Sequence, residues 1–333
     1  MFSTATCCLF FLLSVFKTYV CLDLSIEEET MCDILDATDI GSLSGLTGWT
    51  CTPDGRPTDD FCQWTGVFCS SGHISSLDLS FNRLNGLASG TIPVTIGHLT
   101  YLTNLNFEAA NMMGNLPNSI GNLVSLKELR LSNNAFTSTL PLSMRELVNL
   151  NILLVCRNQL TGCIPDIFDN MYALHTLSIT SNAFRCALPS STWSLTSLTV
   201  FEASSNQLTG TLPSSLAQLK KLIHLDISFN SFSGRMPAVI GELTSLSAFL
   251  FASNHISGSL PESLGHMQSL VILEGPNNHL TGSIPFSTAD QSLLQSSKMS
   301  DNMLNGFLTT HSFAHRGRLP KRRHLQNCPE TTN

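Results

Sequence analysis

Residues 222–237 read LIHLDISFNSFSGRMP and follow the pattern L-x-x-L-x-L-x-x-N-x-L-x-G-x-I-P, with other apolar residues at some of its positions. The same pattern is found in residues 150–165, LNILLVCRNQLTGCIP. Its asparagine recurs with a constant period of 24 residues from Asn134 to Asn302. A fixed period of this length indicates an array of stacked structural units.

Two further copies extend the array towards the N-terminus. The first begins at Ile74 and carries a four-residue insertion, and the second begins at Leu102 and has Ala110 where asparagine is expected. With these, ten copies lie between residues 74 and 308. One unit of this size cannot bury its own apolar edge, whereas ten stacked units bury it continuously.

Each recurring position of the pattern has a physical role. The L-x-L segment predicts a short strand whose two apolar residues point into the core while the residue between them points to solvent. The asparagine turns the chain out of the strand, and its side chain is expected to hydrogen-bond the backbone of adjacent coils as a buried ladder. Glycine permits a tight bend, and proline fixes φ where the chain runs along the outer side. At a strand spacing of ~4.8 Å, ten coils form a rod of roughly 45–50 Å.

The pattern, including its G-x-I-P segment, resembles the plant-type extracellular leucine-rich repeat family, which includes receptor-like proteins and polygalacturonase inhibitors. The resemblance extends to the N-terminal cap of that family, because Trp49 precedes residues 62–69, CQWTGVFC, which match C-x-W-x-G-V-x-C. It implies an α/β solenoid, a right-handed superhelix with short parallel β-strands on the concave face and 3-10 or loop segments on the convex face. It also implies two disulfides in the cap, Cys62–Cys69 and Cys32–Cys51.

The end of the array departs from the pattern. Gly275 and Pro276 replace the strand centre of the ninth copy, which predicts a loss of side-chain packing and of one ladder hydrogen bond. Ser297 stands at an inward position of the tenth copy. We interpret both copies as a weakened end cap. The paired cysteines that close the array in some relatives are absent, which leaves Cys328 as a candidate lone thiol.

Two cysteines within the array stand almost level on neighbouring coils. Cys163 follows the glycine of the fourth copy, and Cys186 replaces the glycine of the fifth. With one residue of offset and coils ~4.8 Å apart, their Cα atoms should be ~5–6.5 Å apart, within disulfide reach. We predict a Cys163–Cys186 bridge, with a pair of reduced thiols as the alternative. Cys156, which lies beside the strand on the inner face, is expected to remain separate.

The two ends of the chain differ from the array. The apolar residues 2–16 predict a signal peptide over residues 1–21, because they are too short for a membrane-spanning helix. A short uncleaved anchor and a misassigned start are the alternatives. Eleven cysteines favour an oxidising compartment, so we expect a secreted or cell-surface protein. The rest divides into an N-terminal cap (22–73), the repeats (74–308) and a basic tail (309–333) that is expected to be disordered.

The composition excludes several classes of function. Charged residues make up 12% of the chain, and 17 basic against 24 acidic residues give a net charge of −7. A general nucleic-acid binder needs a basic stripe, which the array lacks. The sequence has no metal-ligand spacing, phosphate-binding loop or nucleophile motif, so we expect no enzyme activity, cofactor or metal. After residue 21, no segment is apolar for long enough to span a membrane.

The solvent-facing column of the strands is where a partner would bind. At the central strand position, successive copies carry Asp78, Asn106, Arg130, Leu154, Ser178, Glu202, Asp226, Leu250, Glu274 and Lys298. Such variety on a regular scaffold suits a binding surface, and it equally suits an ordinary solvated surface. Phe81 and Phe229, each just before a turn asparagine, favour binding slightly. Asp78 and Arg130 are candidate ligand contacts near the start of the column.

One part of this column predicts a sharper site. Glu202 and Asp226 hold the same position on adjacent coils, and His224 lies two residues before Asp226 on the same face. No Lys or Arg occupies the inner face of copies five to nine. We hypothesise that these residues, bordered by Phe229, form an acidic patch for a basic group of a partner. The alternative is that both carboxylates are simply solvated.

The sequence supports three interpretations of function. The first is a secreted or surface recognition module that binds a protein, peptide or glycan along its concave face. The second is a structural or adhesion protein of the cell surface without one defined ligand. The third is a truncated relative of a receptor-like protein or of a receptor kinase ectodomain. The repeat array serves many functions, so neither the ligand nor the oligomeric state follows from it.

Overall fold

The repeated pattern forms one long sheet. The computed structural model of the protein describes residues 26–38, 48–80, 89–285 and 293–305. The first two strands of the sheet are antiparallel, and every later strand lies parallel to its neighbour. The eleven strands are Val67–Ser70, His73–Asp78, Asn104–Asn106, Glu128–Arg130, Ile152–Leu154, Thr176–Ser178, Val200–Glu202, His224–Asp226, Ala248–Leu250, Ile272–Glu274 and Ser296–Lys298. This architecture confirms the predicted α/β solenoid.

Several predicted features lie outside the described residues. They are the signal peptide over 1–21, Phe81, and the tail over 309–333 with its Cys328. The division of the chain into leader, cap, repeats and tail therefore stays a prediction. Among the residues that are described, no helix is long and apolar enough to cross a bilayer.

The period of 24 residues sets the register of the sheet. Phe201 pairs with Leu177 on one side and with Leu225 on the other, and all three side chains are buried. Equivalent apolar residues therefore form continuous columns inside the array. Burial of each such side chain stabilises the fold by ~1.5–3 kcal/mol, but only while both neighbouring coils are present.

The expected asparagine ladder is present. The amide nitrogen of Asn134 donates to the carbonyl of Phe107 on the preceding coil (2.7 Å) and to the carbonyls of Leu131 and Ser132 on its own coil. Its side-chain oxygen accepts from the backbone N–H of Met112 (2.8 Å). The same four contacts recur at every asparagine of the series as far as Asn302. Adjacent coils are thus joined by side chains as well as by the sheet.

Outside the long sheet, most of the described coils contain a 3-10 helix, and a second row of short parallel strands runs along the array. The 3-10 helices are Val94–His98, Asn118–Asn122, Leu142–Glu146, Ser190–Ser194, Ser214–Gln218, Ala238–Glu242 and Glu262–His266, with Phe61–Gln63 in the cap. The second row comprises Met113–Asn115 and Ala135–Thr137, then Thr161–Cys163, Ala183–Ala187 and Gln207–Thr209, then Ser233–Arg235, His255–Ser259, His279–Gly282 and Met303–Leu304. The 3-10 segments were predicted, whereas the second row was not.

An amphipathic helix, Ile26–Ala37, covers the first coil. Its Met31 and Ile34 are fully buried, and the helix packs against the 3-10 helix Val94–His98. The buried carboxylate of Glu27 accepts hydrogen bonds from the backbone N–H of Ile74 (3.0 Å) and from His73 (3.1 Å). The helix is therefore fixed to the first parallel strand by polar contacts as well as by apolar packing.

The structure corrects one expectation about the ninth copy. Gly275 lies just beyond the strand Ile272–Glu274, and the buried ring of Phe251 fills the space where its side chain would stand. A Cβ on Gly275 would come within 2.1 Å of that ring. The ring of Phe251 on the preceding coil thus fills the space that a side chain at position 275 would occupy. On the seventh coil, Ser228 holds the position that Pro276 holds on the ninth, and its backbone N–H donates to the side chain of Asp226 and not to a neighbouring strand. Proline at this position therefore removes no hydrogen bond of the sheet.

The structure contains the three disulfides named above: Cys32–Cys51, Cys62–Cys69 and Cys163–Cys186. The Cα atoms of the last pair are 5.3 Å apart, within the interval expected from the coil spacing. Cys156 does not belong to this bridge, but it is itself disulfide-bonded. The expectation that Cys156 stays separate therefore holds only with respect to Cys163 and Cys186.

Candidate functional site on the concave face

The concave face is the side of the long sheet that is turned away from the core. Side chains alternate along a strand, so the residues on either side of the central apolar residue point to this face. Glu202 lies level with Ser178 and with Asp226, and Asp226 lies level with Leu250. The column predicted from the sequence is therefore a continuous surface across the coils.

The first three coils enclose a polar pocket on this face. It has a volume of about 230 Å³ and is lined by Ser76, Asp78, Asn104, Leu105, Asn106, Glu128 and Arg130. The guanidinium of Arg130 forms an ion pair with Glu128, at 2.9 Å from Nη2 and 3.0 Å from Nε to the same oxygen. Both side chains remain about one-third exposed. The pocket thus offers a cation, carboxylates and amides to a ligand.

Two polar side chains of the pocket, Asp78 and Asn106, are held in place by the backbone. Asp78 accepts a hydrogen bond from the N–H of Ser80 (3.1 Å), and Asn106 accepts one from the N–H of Glu108 (3.0 Å). Glu108 itself has one carboxylate oxygen that is buried and without a hydrogen-bond partner among the described residues. Burial raises the pKa of Glu108, against the lowering effect of Arg130.

Glu202, His224 and Asp226 form the second polar group of the concave face. Nε2 of His224 lies 3.7 Å from a carboxylate oxygen of Glu202. Glu202 is only 4% exposed and His224 only 5%, while Asp226 is half-buried and accepts from the N–H of Ser228. Nδ1 of His224 is buried and has no hydrogen-bond partner among the described residues. Burial lowers the pKa of His224, and the neighbouring carboxylate of Asp226 raises it.

The burial of Glu202 argues against one of the two interpretations of the acidic patch. The view that both carboxylates are simply solvated is wrong for Glu202, because its side chain is buried. Phe229 is 58% exposed, as expected, and its backbone has φ of 55°. Every residue that precedes a ladder asparagine in the described coils shares this left-handed conformation. Whether Glu202, His224, Asp226 and Phe229 bind a partner remains a hypothesis.

Sequence reasoning grouped some of these residues and missed others. It named Asp78 and Arg130 separately, and the structure brings both into one pocket. It did not single out Ser76, Asn104 and Glu128, although they form a column of their own two residues before the central position. These three residues could have been predicted from the sequence, because they recur two residues before the residues of the central column. The described residues contain no group of three His, Cys, Asp or Glu side chains placed to hold a metal ion.

The chain resembles known proteins throughout the array. The family described as leucine rich repeat matches residues 148–208, and single repeats of that kind match 73–99, 125–147 and 221–243. Polygalacturonase inhibitor 1 of Arabidopsis thaliana is 27% identical over 133 residues, which are 40% of this chain and 38% of the inhibitor. The chain thus spans well under half of that relative.

Solved structures show the same architecture. The leucine-rich repeat ectodomain of the Arabidopsis thaliana receptor kinase GASSHO1/SCHENGEN3, in complex with CASPARIAN STRIP INTEGRITY FACTOR 2, is 28% identical with a TM-score of 0.74. The match covers 83% of this chain and 33% of that one. A plant ice-binding protein is 26% identical with a TM-score of 0.64, and the match covers 84% of this chain and 88% of that one. Inhibitors and receptor ectodomains are non-enzymatic kinds of protein. With the parallel strands and the asparagine ladder, these matches show an array of leucine-rich repeats that is similar to those of plant inhibitors and receptor ectodomains.

Proposed function

We propose that this protein is an extracellular recognition module that binds a protein or peptide along its concave face. The observation that carries the proposal is the polar pocket of the first three coils, where Asp78, Glu128 and Arg130 converge. The names of its relatives support it, since one is an inhibitor of an enzyme and another is an ectodomain in complex with a named factor. The three disulfides fit an oxidising, extracellular location.

The chemistry of the pocket suits a polypeptide ligand. Arg130 can donate to a carboxylate or a backbone carbonyl, and Asp78 can accept from an N–H or an ammonium group. Asn104 and Asn106 lie between them with amide groups that can do both. An extended peptide carries N–H and C=O groups in alternation, so it matches a surface with donors and acceptors side by side.

Selection from a library of displayed random peptides tests this proposal without a known ligand. The full chain is immobilised, and the best-enriched peptide is made synthetically and titrated against variants. Replacement of Arg130 by Gln, or of Asp78 by Asn, should weaken binding about tenfold or more, because each removes a charge-assisted hydrogen bond worth ~1.5–3 kcal/mol. Asp78→Asn keeps the size of the side chain, and Arg130→Gln shortens a side chain that is about one-third exposed, so the fold should be retained.

A matched change on the opposite side serves as the control. Lys220→Gln lies in an exposed ion pair with Glu242, away from the long sheet. It should leave the affinity for the peptide unchanged. Equal loss of binding in the Lys220 and Arg130 variants, or no loss in either pocket variant, would contradict recognition through the concave face.

A second candidate function, ice binding, is favoured by one observation on the second row of strands. Equivalent positions 24 residues apart carry hydroxyl groups at Thr137, Thr161, Thr209, Ser233, Ser257 and Thr281, interrupted at Arg185. Such a repeated hydroxyl column offers regularly spaced hydrogen-bonding groups to ordered water. The match to a plant ice-binding protein over 88% of its length supports this candidate.

Freezing-point measurements separate the two candidates. If the hydroxyl column binds ice, the full chain shows thermal hysteresis, and Thr209→Lys abolishes it while Arg130→Gln does not. Absence of hysteresis in the unaltered chain removes this candidate and leaves recognition through the concave face as the proposal.

A further inference from the structure

Two imidazole rings are stacked on the second row of strands. The rings of His255, on the eighth coil, and His279, on the ninth, have centroids 5.6 Å apart and planes inclined by 11°. Both residues are exposed to solvent. They do not line the concave pocket, and they do not belong to the column of hydroxyl groups. Neither candidate function described above therefore uses this pair.

The stacking of the coils brings the two histidines together. They are 24 residues apart in the sequence, so local spacing did not suggest a metal site. They hold the same position on consecutive coils, each directly after an asparagine of the ladder. The tenth coil has Met303 at this position, and its side chain is 57% exposed. Two imidazoles and a thioether therefore follow one another along the last three coils.

The backbone beneath these side chains is fixed. Asn254 and Asn278, which precede the two histidines, are buried, and each donates to carbonyl groups of its own coil and of the preceding coil. The N–H of His255 donates to the carbonyl of Phe232 (2.7 Å). Conformational freedom thus remains mainly in the exposed side chains, which limits the entropy that is lost when both rings bind one ion.

The three side chains suit a copper ion. Neutral imidazole is the commonest metal ligand in proteins, and Cu²⁺ binds nitrogen ligands more tightly than the other divalent ions of the first transition row do. The thioether of Met303 is a soft ligand of the kind that favours Cu⁺. Zinc, in contrast, takes Cys, His, Asp and Glu as ligands, and the described residues contain no group of three such side chains placed to hold a metal ion.

The distance between the rings is compatible with one shared ion. Bonds from a metal ion to imidazole nitrogen are ~2.0–2.1 Å long, so two nitrogens that bind the same ion lie ~3–4 Å apart. The nitrogens stand at the rims of rings whose centroids are 5.6 Å apart. Rotation about the side-chain bonds of two exposed histidines can turn one nitrogen of each ring towards the ion.

We propose that His255 and His279 together bind a copper ion on the second row of strands, with the thioether of Met303 as a third ligand for Cu⁺. The bound ion joins coils eight and nine, and as Cu⁺ it also joins coil ten. These coils lie where the array departs from its pattern, at Gly275 and Ser297. Because each coil of a solenoid is stabilised by its neighbours, the ion holds the end of the array together.

Footprinting of single histidines in the full chain tests the site. Diethyl pyrocarbonate modifies imidazole nitrogens and a bound metal ion protects them, so tandem mass spectrometry reports the protection of each histidine as Cu²⁺ is added. His255 and His279 should become protected in parallel. The Cu²⁺ concentration required should be about 100-fold below that for a histidine that binds alone, because the second ring binds at a high effective concentration.

His266 provides the matched control, since it is exposed and lies on the 3-10 helix Glu262–His266 of the eighth coil. In His279→Gln, protection of His255 should shift to the concentration that protects His266, and His255→Gln should have the same effect on His279. His266→Gln should leave the pair unchanged. Protection of the pair only at the concentration that protects His266, or protection of either histidine without regard to the other, overturns the proposal.

Met303→Leu tests the third ligand and the identity of the metal. With ascorbate and without oxygen, which keep copper as Cu⁺, protection of His279 should require about tenfold more copper in this variant, whereas protection by Zn²⁺ should not change. An equal shift with Zn²⁺, or no shift with Cu⁺, excludes the thioether as a ligand. Protection of the pair by Zn²⁺ at a lower concentration than by Cu²⁺ excludes copper as the preferred ion.

Hydrogen exchange tests whether the ion holds the coils together. Cu²⁺ should slow amide exchange in the strand His279–Gly282 severalfold in the unaltered chain and have no such effect in His255→Gln. Equal exchange with and without Cu²⁺ in the unaltered chain excludes this role. These experiments use no peptide ligand, so their failure leaves the proposed function intact, and failure of the peptide selection leaves the copper site intact.

Discussion

The side chain of Asn206 forms hydrogen bonds with the backbone of two adjacent coils. It donates to the carbonyls of Ile179, Ala203 and Ser204 and accepts from the N–H of Phe184. Asn206→Ala leaves these backbone groups unpaired between coils, so we expect a loss of ~2–4 kcal/mol in the free energy of unfolding. Chemical denaturation measures the loss. Gln207→Ala, at the exposed neighbour, should change the value by less than ~0.5 kcal/mol.

At Phe229, in contrast, the backbone conformation predicts that a substitution raises the free energy of unfolding. Its φ of 55° is unfavourable for a bulky residue, whereas Asn133 and Asn277 occupy the same position on other coils with similar angles. Phe229→Asn should therefore stabilise the chain by ~1 kcal/mol, since the ring is largely exposed and little packing is lost. Destabilisation in the same denaturation assay would contradict the view that the backbone at this position is strained.

His224 makes stability depend on pH. Because burial lowers its pKa in the folded chain, the unfolded chain binds a proton more readily near the ordinary value of 6.5. The contribution of this residue to the free energy of unfolding is therefore fully present above pH 6.5 and is lost as the pH falls below that value. The carboxylate of Asp226 opposes this lowering of the pKa without reversing it, and Nε2 of the ring lies 3.7 Å from a carboxylate oxygen of Glu202. Thermal unfolding from pH 5 to 8 should show this loss, and His224→Gln should remove it while His255→Gln does not.

At the scale of elements, the ninth strand depends on its neighbour. The ring of Phe251 occupies the space beside Gly275, so Gly275→Ala should destabilise the chain by ~1–3 kcal/mol through overpacking. Phe251→Leu makes room, so the double variant should be more stable than the sum of the two single losses predicts. Strictly additive losses in this double-mutant cycle would contradict the packing described for the two coils.

The strands and the asparagine ladder follow from the sequence because each depends on a residue that recurs at a fixed period. The Cys163–Cys186 bridge follows from the spacing of neighbouring coils, whereas the two cap disulfides were implied by the resemblance to a known family. Departures from the period were harder to interpret. Gly275 was expected to weaken the ninth coil, because a sequence pattern does not show that the side chain of Phe251 on another coil fills the gap. The second row of strands was missed because its residues lack an alternating apolar pattern.

The site was predictable only in part. The central column is fixed by strand alternation, which placed Glu202 and Asp226 side by side. Predicting the pocket would have required a second column of residues beside the central one. The ion pair between Arg130 and Glu128 depends on side-chain geometry, which sequence spacing does not show. Burial of Glu202 depends on the side chains that surround it in the folded chain, which the repeat pattern does not show.

At the scale of the whole molecule, the concave face has two parts with different properties. Coils one to three present a half-open polar pocket, whereas the central strand residues of coils four to six are buried. A ligand of the folded chain should therefore engage the pocket first.

Photo-crosslinking of the selected peptide to the full chain tests the central claim most directly, namely that the concave face is the recognition surface. A photoreactive group at each peptide position in turn, followed by peptide mapping, identifies the residues in contact. We expect crosslinks at strands His73–Asp78, Asn104–Asn106 and Glu128–Arg130, which line the pocket. Crosslinks confined to the second row of strands or to the helix Ile26–Ala37 would contradict the account.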